Sequence, residues 1–256
     1  GWVQNADTMH QLIKEYRYQK KIEQQIETIT IEKKYGVSFL SMNFLQRLEV
    51  FNEIIKEPFA SCEEINEVMW MKSTNAASCL RAKRTFTETS ALMSMVGYVI
   101  GLGDRHPNNI MIQRDSGNVI HIDFGESFDS TLNRRICPEK VPFRLTRMIV
   151  NTLEGKNAHG LFMSCCSLFM SVMRENQNPL SAQLAIFADD PVFDNEKIKF
   201  ESSLNFNRKI YDKIVGYKTG DQGRSESVSD QVKRLIEQAE SPENYVKHYP
   251  GWCPFW

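Results

Sequence analysis

Asp104 and Asn109 stand five positions apart in Gly101-Leu102-Gly103-Asp104-Arg105-His106-Pro107-Asn108-Asn109, and Asp123-Phe124-Gly125 follows. Phosphoryl transfer needs a carboxylate that accepts the nucleophile's proton and hard oxygen ligands that hold a divalent cation against the transferring phosphate. Asp104 suits the first role, and Asn109 and Asp123 suit the second, as magnesium ligands. Asp-Phe-Gly alone is a weak signal. Joined to the Asp-x-x-x-x-Asn loop, the two glycine breaks and an intervening hairpin, it becomes a specific one.

These residues need elements to carry them. The stretch from Thr85 to Ile100 is nearly uncharged and apolar on most sides, which predicts a buried central helix ended by Gly101 and Gly103. Apolar runs at Ile110 to Ile112 and Val119 to Ile122, separated by Arg114-Asp115-Ser116-Gly117-Asn118, predict a hairpin that returns Asp123 towards Asn109. Upstream, Asp7 is placed to cap a helix with Met9, Leu12, Ile13 and Tyr16 on one face. A charged stretch runs from Lys20 to Lys34, and a second amphipathic run from Leu40 to Ile55 stops at Pro58. A short helix is expected from Glu63 to Lys72. Downstream, helical patterns run from Pro142 to Met173, broken around Gly155 to Gly160, then from Leu180 to Ala188 and from Glu196 to Val215. Tyr217 to Asp230 reads as a linker, and Gln231 to Glu240 as a last helix before five aromatic residues. The fold class is α+β: a mostly helical lobe, residues 1–216, with one short hairpin, a linker at 217–230, and an appendage at 231–256.

Composition narrows the function further. Lys and Arg number 31 against 32 Asp and Glu, so the chain has no global basic charge and direct nucleic-acid binding is not expected. Its uncharged stretches, Thr89 to Gly103 and Asn157 to Met173, are too short or too polar to span a bilayer. The six cysteines lack Cys-x-x-Cys spacing and read as reduced thiols. Cys165-Cys166 reads as core. His10, His121, His159 and His248 show no metal-ligand pattern, and Arg105 reads as structural because its neighbours already supply the acceptor and the ligands.

The order Asp-Arg-His, reversed from the His-Arg-Asp of ordinary protein kinases, resembles the atypical kinases of the phosphatidylinositol-kinase-related family. Met93-Ser94-Met95-Val96-Gly97-Tyr98, His121-Ile122-Asp123-Phe124-Gly125, Pro138 to Met148 and the ending Gly251-Trp252-Cys253-Pro254-Phe255-Trp256 resemble its target-of-rapamycin (TOR) branch, the ending matching the FATC tail. The likeness covers essentially the whole chain and is weakest from Lys20 to Ser78. It implies an atypical kinase C-lobe with its tail, starting at the hinge and lacking the N-lobe, so that the fragment alone is expected to be inactive.

The resemblance also assigns roles. It implies ATP and magnesium, with manganese as the alternative metal. It gives His106 charge stabilisation or support of Asp104, Trp2 stacking on adenine, Val3 backbone contacts to the base edge, and Met111 and Ile122 an apolar floor. It implies Ser/Thr protein substrates docking on the segment from Glu126 to Arg147, whose charges sum to +2. It further implies a WD-repeat propeller subunit near Lys21 to Phe59, large scaffold subunits, and a cytoplasmic site of action, with endomembranes and the nucleus as further places. The aromatic tail is expected to pack beside the activation segment, membrane contact being the other reading. In such tails an upstream cysteine pairs with the last one. Val246 and His248 stand in those places here, so no redox switch is expected at Cys253. The alternatives to a TOR-type protein kinase are a phosphoinositide kinase, disfavoured by the Trp-rich ending, and a pseudokinase scaffold, disfavoured by the intact Asp104, Asn109 and Asp123.

Overall fold

In the computed structural model, which describes residues 3–134, 137–188, 203–217 and 225–256, Thr8 and not Asp7 caps the first helix. The Thr8 hydroxyl accepts the Gln11 N–H, and the Gln11 side chain accepts the Thr8 N–H in return, which satisfies two donors at the helix end. Asp7 belongs instead to a strand, β1 (Ala6–Thr8). There it pairs with Arg114 at 2.5 Å and Lys72 at 3.3 Å, and the Arg114 hydrogen bonds hold its carboxyl below the usual carboxylate range. The helix that follows, α1 (Met9–Gln19), buries Met9, Leu12 and Ile13 as their spacing predicts.

The expected hairpin is present as β2 (Ile110–Gln113) and β3 (Val119–His121), and β1 adds a third antiparallel strand in the order β1-β2-β3. Three residues are too few for a period-two pattern to show, so β1 was not legible beforehand. The register sets Thr8 opposite Met111, and Met111 opposite Ile120. Because side chains alternate across a strand, Ile110, Ile112 and Val119 enter the main core while Met111, Ile120 and Ile122 share the other face.

Two helices, α2 (Ile26–Tyr35) and α3 (Phe44–Ile54), occupy the region from 21 to 59. α2 overlaps the charged stretch, which carried no helical pattern because only Ile31 and the charged Glu27 are buried along it. α3 buries Val50, Phe51 and Ile54, whereas Leu40, Phe44 and Leu45 of the same amphipathic run stay exposed. After α4 (Glu64–Lys72) the central helix α5 runs from Ala76 to Val99, starting well before Thr85. The Asn75 side chain caps it by accepting the Ser78 N–H. α5 packs against β3 and against α6 (Arg147–Thr152) and α7 (Met163–Glu175), with Ala91 and Met95 fully buried.

Between α6 and α7, a π-helical turn at Ala158–Phe162 marks the predicted break. α8 (Gln177–Ala188) and α9 (Ser203–Val215) follow, and the expected helical residues 196–202 lie outside the described residues. Tyr217 bridges to Ser225, and α10 (Val228–Glu240), capped by Ser227, begins inside the stretch read as linker. A short α11 (Pro242–Tyr245) leads into the tail. Among the described residues, no helix is long and apolar enough to cross a membrane.

Candidate active site

The loop leaving α5 is shaped by two glycines with separate tasks. Gly101 adopts φ +59°, and a Cβ there would strike Asp129; a Cβ on Gly103 would lie 2.2 Å from the Thr131 hydroxyl. Both positions let the segment after Asp123 fold back onto the loop, held by Gly103 N–H to Glu126 carbonyl at 2.7 Å and Asp129 N–H to Gly101 carbonyl at 2.9 Å. Gly103→Ala is therefore expected to destabilise the lobe by about 1–3 kcal/mol through overpacking. A denaturant titration showing an unchanged midpoint would count against this close approach.

Asp104 and Asp123 both sit in the left-handed region, at φ 58° and 59°, a conformation that Asp tolerates better than most residues. Strain of this kind concentrates where a site over-determines its backbone. His106 Nδ1 accepts the Asn108 N–H at 3.2 Å, which places the ring proton on Nε2, the nitrogen 3.8 Å from an Asp104 carboxylate oxygen. The Asn109 amide donates to the Asp104 carbonyl at 2.9 Å. That bond fixes its orientation and leaves the Oδ1 end for a cation. One Asp123 oxygen accepts the Gly125 N–H at 3.2 Å, and the carboxylate is otherwise exposed. Two oxygen donors, one charged and one neutral, fit a hard octahedral cation whose other ligands are phosphates and water.

Arg105 assembles these pieces. Buried to 3% exposure, it donates to the Gly103 carbonyl at 2.8 Å, the Ile122 carbonyl at 2.7 Å and the Asp123 carbonyl, with a longer bond to Asn109. One guanidinium thus staples the Asp104 loop to the Asp123 strand, which fits its reading as structural. The Ile122 N–H donates to the Asn109 carbonyl at 3.1 Å and completes the junction.

Met111 and Ile122, the residues expected to form a nucleotide floor, share one sheet face. Ile120 joins them there, a residue the sequence reading missed although the period-two alternation of the hairpin contains it. Val3 leads into β1 on the same sheet. Trp2 lies outside the described residues, as does Arg135 of the basic segment. Beside Asp104 and His106 opens a cleft of about 290 Å³, lined by Leu40, Cys137, Tyr249 and Trp252 together with Arg134, Glu139 and His248.

Comparison with known proteins bears on this geometry directly. Residues 1–197 match the model of the phosphatidylinositol 3- and 4-kinase family. The chain belongs to that family. Residues 225–256 match a second model, the FATC domain. The serine/threonine-protein kinase TOR2 of Saccharomyces cerevisiae is 37% identical over 302 residues, spanning all of this chain and 12% of that protein. The target of rapamycin homolog of Caenorhabditis elegans is 34% identical, spanning all of this chain and 10% of its own length. Among solved structures, a Tel1 kinase dimer superposes with TM-score 0.79 at 27% identity, covering all of this chain and 11% of that one. The chain thus spans only about an eighth or less of the length of these three relatives.

The FATC segment of this kinase-family chain is part of the lobe's interior. Trp252, Phe255 and Trp256 are buried, and of the five tail aromatics only Tyr249 is exposed. Phe255 stacks on Phe51 at 5.3 Å and meets Phe39 edge-on at 5.5 Å. The Trp256 indole donates to Glu27 at 2.9 Å and lies under Arg17, itself paired with Glu27 and Glu64. Arg144 lies 4.3 Å over the Trp252 ring and donates to the Trp252 and Cys253 carbonyls and to the Arg105 carbonyl. It is a single buried guanidinium joining tail to catalytic loop, and its burial pushes it down to about 10. Cys253 is a free thiol, and burial pushes it up to about 11.

His248 is wholly buried against Trp252 with ring centroids 4.1 Å apart, and burial lowers it to about 4. Its folded-state value lies below the unfolded value near 6.5, so the unfolded chain binds the extra proton. The associated stability is present above about pH 6.5 and is lost as pH falls towards 4. A His248→Gln variant is expected to melt less steeply with acid over that window than the parent. Parallel melting curves for the two would refute the assignment.

Proposed function

We propose that the protein carrying this chain is a TOR-type serine/threonine kinase that transfers the γ-phosphate of magnesium-ATP to Ser and Thr residues of protein substrates in growth and nutrient signalling. The observation that carries this reading is the junction in which Arg105 ties the loop of Asp104, His106 and Asn109 to the strand end bearing Asp123. Asp104 accepts the proton of the substrate hydroxyl at a carboxylate oxygen. His106, through the Nε2–H that faces Asp104, supports that carboxylate and developing charge on the phosphoryl group. Asn109 and Asp123 would hold magnesium, or manganese in its place, and the metal when bound neutralises phosphate charge and orients the reacting group. Met111, Ile120 and Ile122 offer an apolar floor to the adenine, and Val3 offers backbone groups to the base edge; the stacking role expected of Trp2 falls on a residue outside the described ones.

The cleft beside Asp104, lined by Leu40, Tyr249 and Trp252 as well as by Arg134 and Glu139, offers both apolar and charged contacts to a peptide. Names of relatives such as TOR2 and the target of rapamycin homolog support the protein-kinase reading. A WD-repeat propeller subunit is proposed to dock on α2 and α3, where Leu40, Phe44 and Leu45 are exposed, with large scaffold subunits completing the assembly. Cytoplasmic action, with endomembranes and the nucleus as further sites, belongs to the same proposal. Membrane contact by the tail would rest on Tyr249.

The test is a competition between substrates. Incubated with magnesium and labelled ATP, the protein is expected to label a Ser/Thr peptide and to leave phosphatidylinositol vesicles unlabelled. Label in the lipid alone would overturn the proposal in favour of a phosphoinositide kinase.

A further inference from the structure

The catalytic loop has a partner in the activation segment. Glu139 is buried to 6% exposure, and both of its carboxylate oxygens accept the backbone N–H of Asp104, at 2.9 and 3.1 Å. Arg134 approaches the same carboxylate at 3.5 Å and reaches Glu126 at 3.0 Å with its other nitrogen. Glu139 is itself fixed by its N–H to the Thr131 carbonyl at 3.3 Å, and Thr131 is the residue that packs against Gly103. Burial raises the Glu139 carboxyl above its ordinary range, so the retained charge depends on those donors.

A buried carboxylate that accepts a backbone N–H with both oxygens fixes that amide's direction. The N–H it meets belongs to a residue in the left-handed region, at φ 58°. Rotating Asp104 out of the left-handed region would swing that N–H away from Glu139 and carry the Asp104 side chain to a new direction. A charged acceptor makes the stronger bond, and so favours the conformation that aims the carboxylate at His106 and the cleft.

We propose that Glu139 is a positioning residue that holds Asp104 in its reactive backbone conformation, so that the order of the activation segment is transmitted to the proton acceptor. The proposal rests on the reading of Asp104 as that acceptor. Glu139 touches no reacting atom. It acts through one amide, and the carboxylate it positions takes the substrate proton.

The experiment compares Glu139→Gln and Glu139→Leu in the full-length protein. Glutamine keeps an acceptor oxygen at the same reach; leucine keeps the volume and offers none. Losing a charged hydrogen bond that orients the acceptor is expected to lower kcat by about 10- to 100-fold in Glu139→Leu. KM for ATP should stay within about threefold, because Asn109 and Asp123 are untouched. Glu139→Gln is expected to recover most of the activity. Hydrogen exchange at the Asp104 amide, which needs no turnover, is expected to be slow in the parent, at least about tenfold faster in the leucine variant and intermediate in the glutamine variant.

Unchanged exchange and kcat in Glu139→Leu would overturn the proposal. So would equal impairment of both variants with exchange accelerated throughout the lobe, since that is general destabilisation. If the parent protein transfers no phosphate to any peptide, the kinase reading falls, and the Asp104 exchange rates alone decide the anchor.

Discussion

Asp123→Asn is expected to abolish phosphoryl transfer while leaving the fold intact. The Asp123 carboxylate is exposed and accepts only the Gly125 N–H among its described contacts, so replacing it removes at most about 1 kcal/mol of folding stability. Asparagine also tolerates the left-handed φ of 59° at this position, where alanine adds strain. The same change removes the only charged oxygen of the proposed cation pair. Metal and charge neutralisation at a transferring phosphate are worth several kcal/mol, and each 1.36 kcal/mol is tenfold in rate. A loss of at least about 10³-fold in kcat is therefore expected, with a melting temperature within about 2 °C of the parent. A variant retaining more than a tenth of the activity would remove Asp123 from the mechanism.

Deleting Gly251 to Trp256 has the largest expected effect on stability. The three rings lost, Trp252, Phe255 and Trp256, are buried among Arg144, Phe51, Phe39 and Arg17. Losing a buried Phe or Trp costs about 3–5 kcal/mol. Their sum rivals the whole net stability of a domain, about 5–15 kcal/mol. The deletion also strips acceptors from Arg144 and Arg147, which donate to the Trp252, Cys253 and Phe255 carbonyls. An uncompensated buried guanidinium costs about 3–5 kcal/mol more. The truncated protein is expected to be recovered poorly, to melt without a cooperative transition and to lose activity with its fold, because Arg144 also bonds the Arg105 carbonyl. If truncation instead abolished vesicle binding with melting and activity unchanged, the tail would be a membrane element and its packing incidental.

How far these features could be read beforehand depended on the range of the interactions. Asp104, Asn109 and Asp123 were legible because their spacing is local, and the hairpin that returns the chain is written in one apolar alternation with a glycine-containing turn. The α1 face of Met9, Leu12 and Ile13 was legible for the same reason. The cap was misassigned to Asp7 because Asp and Thr are both good caps. Only the position of Arg114 and Lys72, distant in sequence, draws the Asp7 carboxylate into the sheet. α2 was hidden because only Ile31 and Glu27 are buried along it, and Glu27 belongs to the interior only once Arg17 and Trp256 arrive. Glu139 gave no signal, since a carboxylate that accepts one distant amide looks like any charged loop residue.

The sequence alone determined the chemistry this chain can attempt: an acceptor, two oxygen ligands and the glycines that let their loop turn. It also determined that the tail is aromatic enough to need burial. Only the tertiary structure decided how these parts are held. Arg105 joins loop to strand, Glu139 grips the Asp104 amide, and Arg144 ties the FATC tail to the loop at the Arg105 carbonyl. Each is a long side chain bonding backbone groups far along the chain. Such bonds depend on where the backbone passes, which no local spacing encodes.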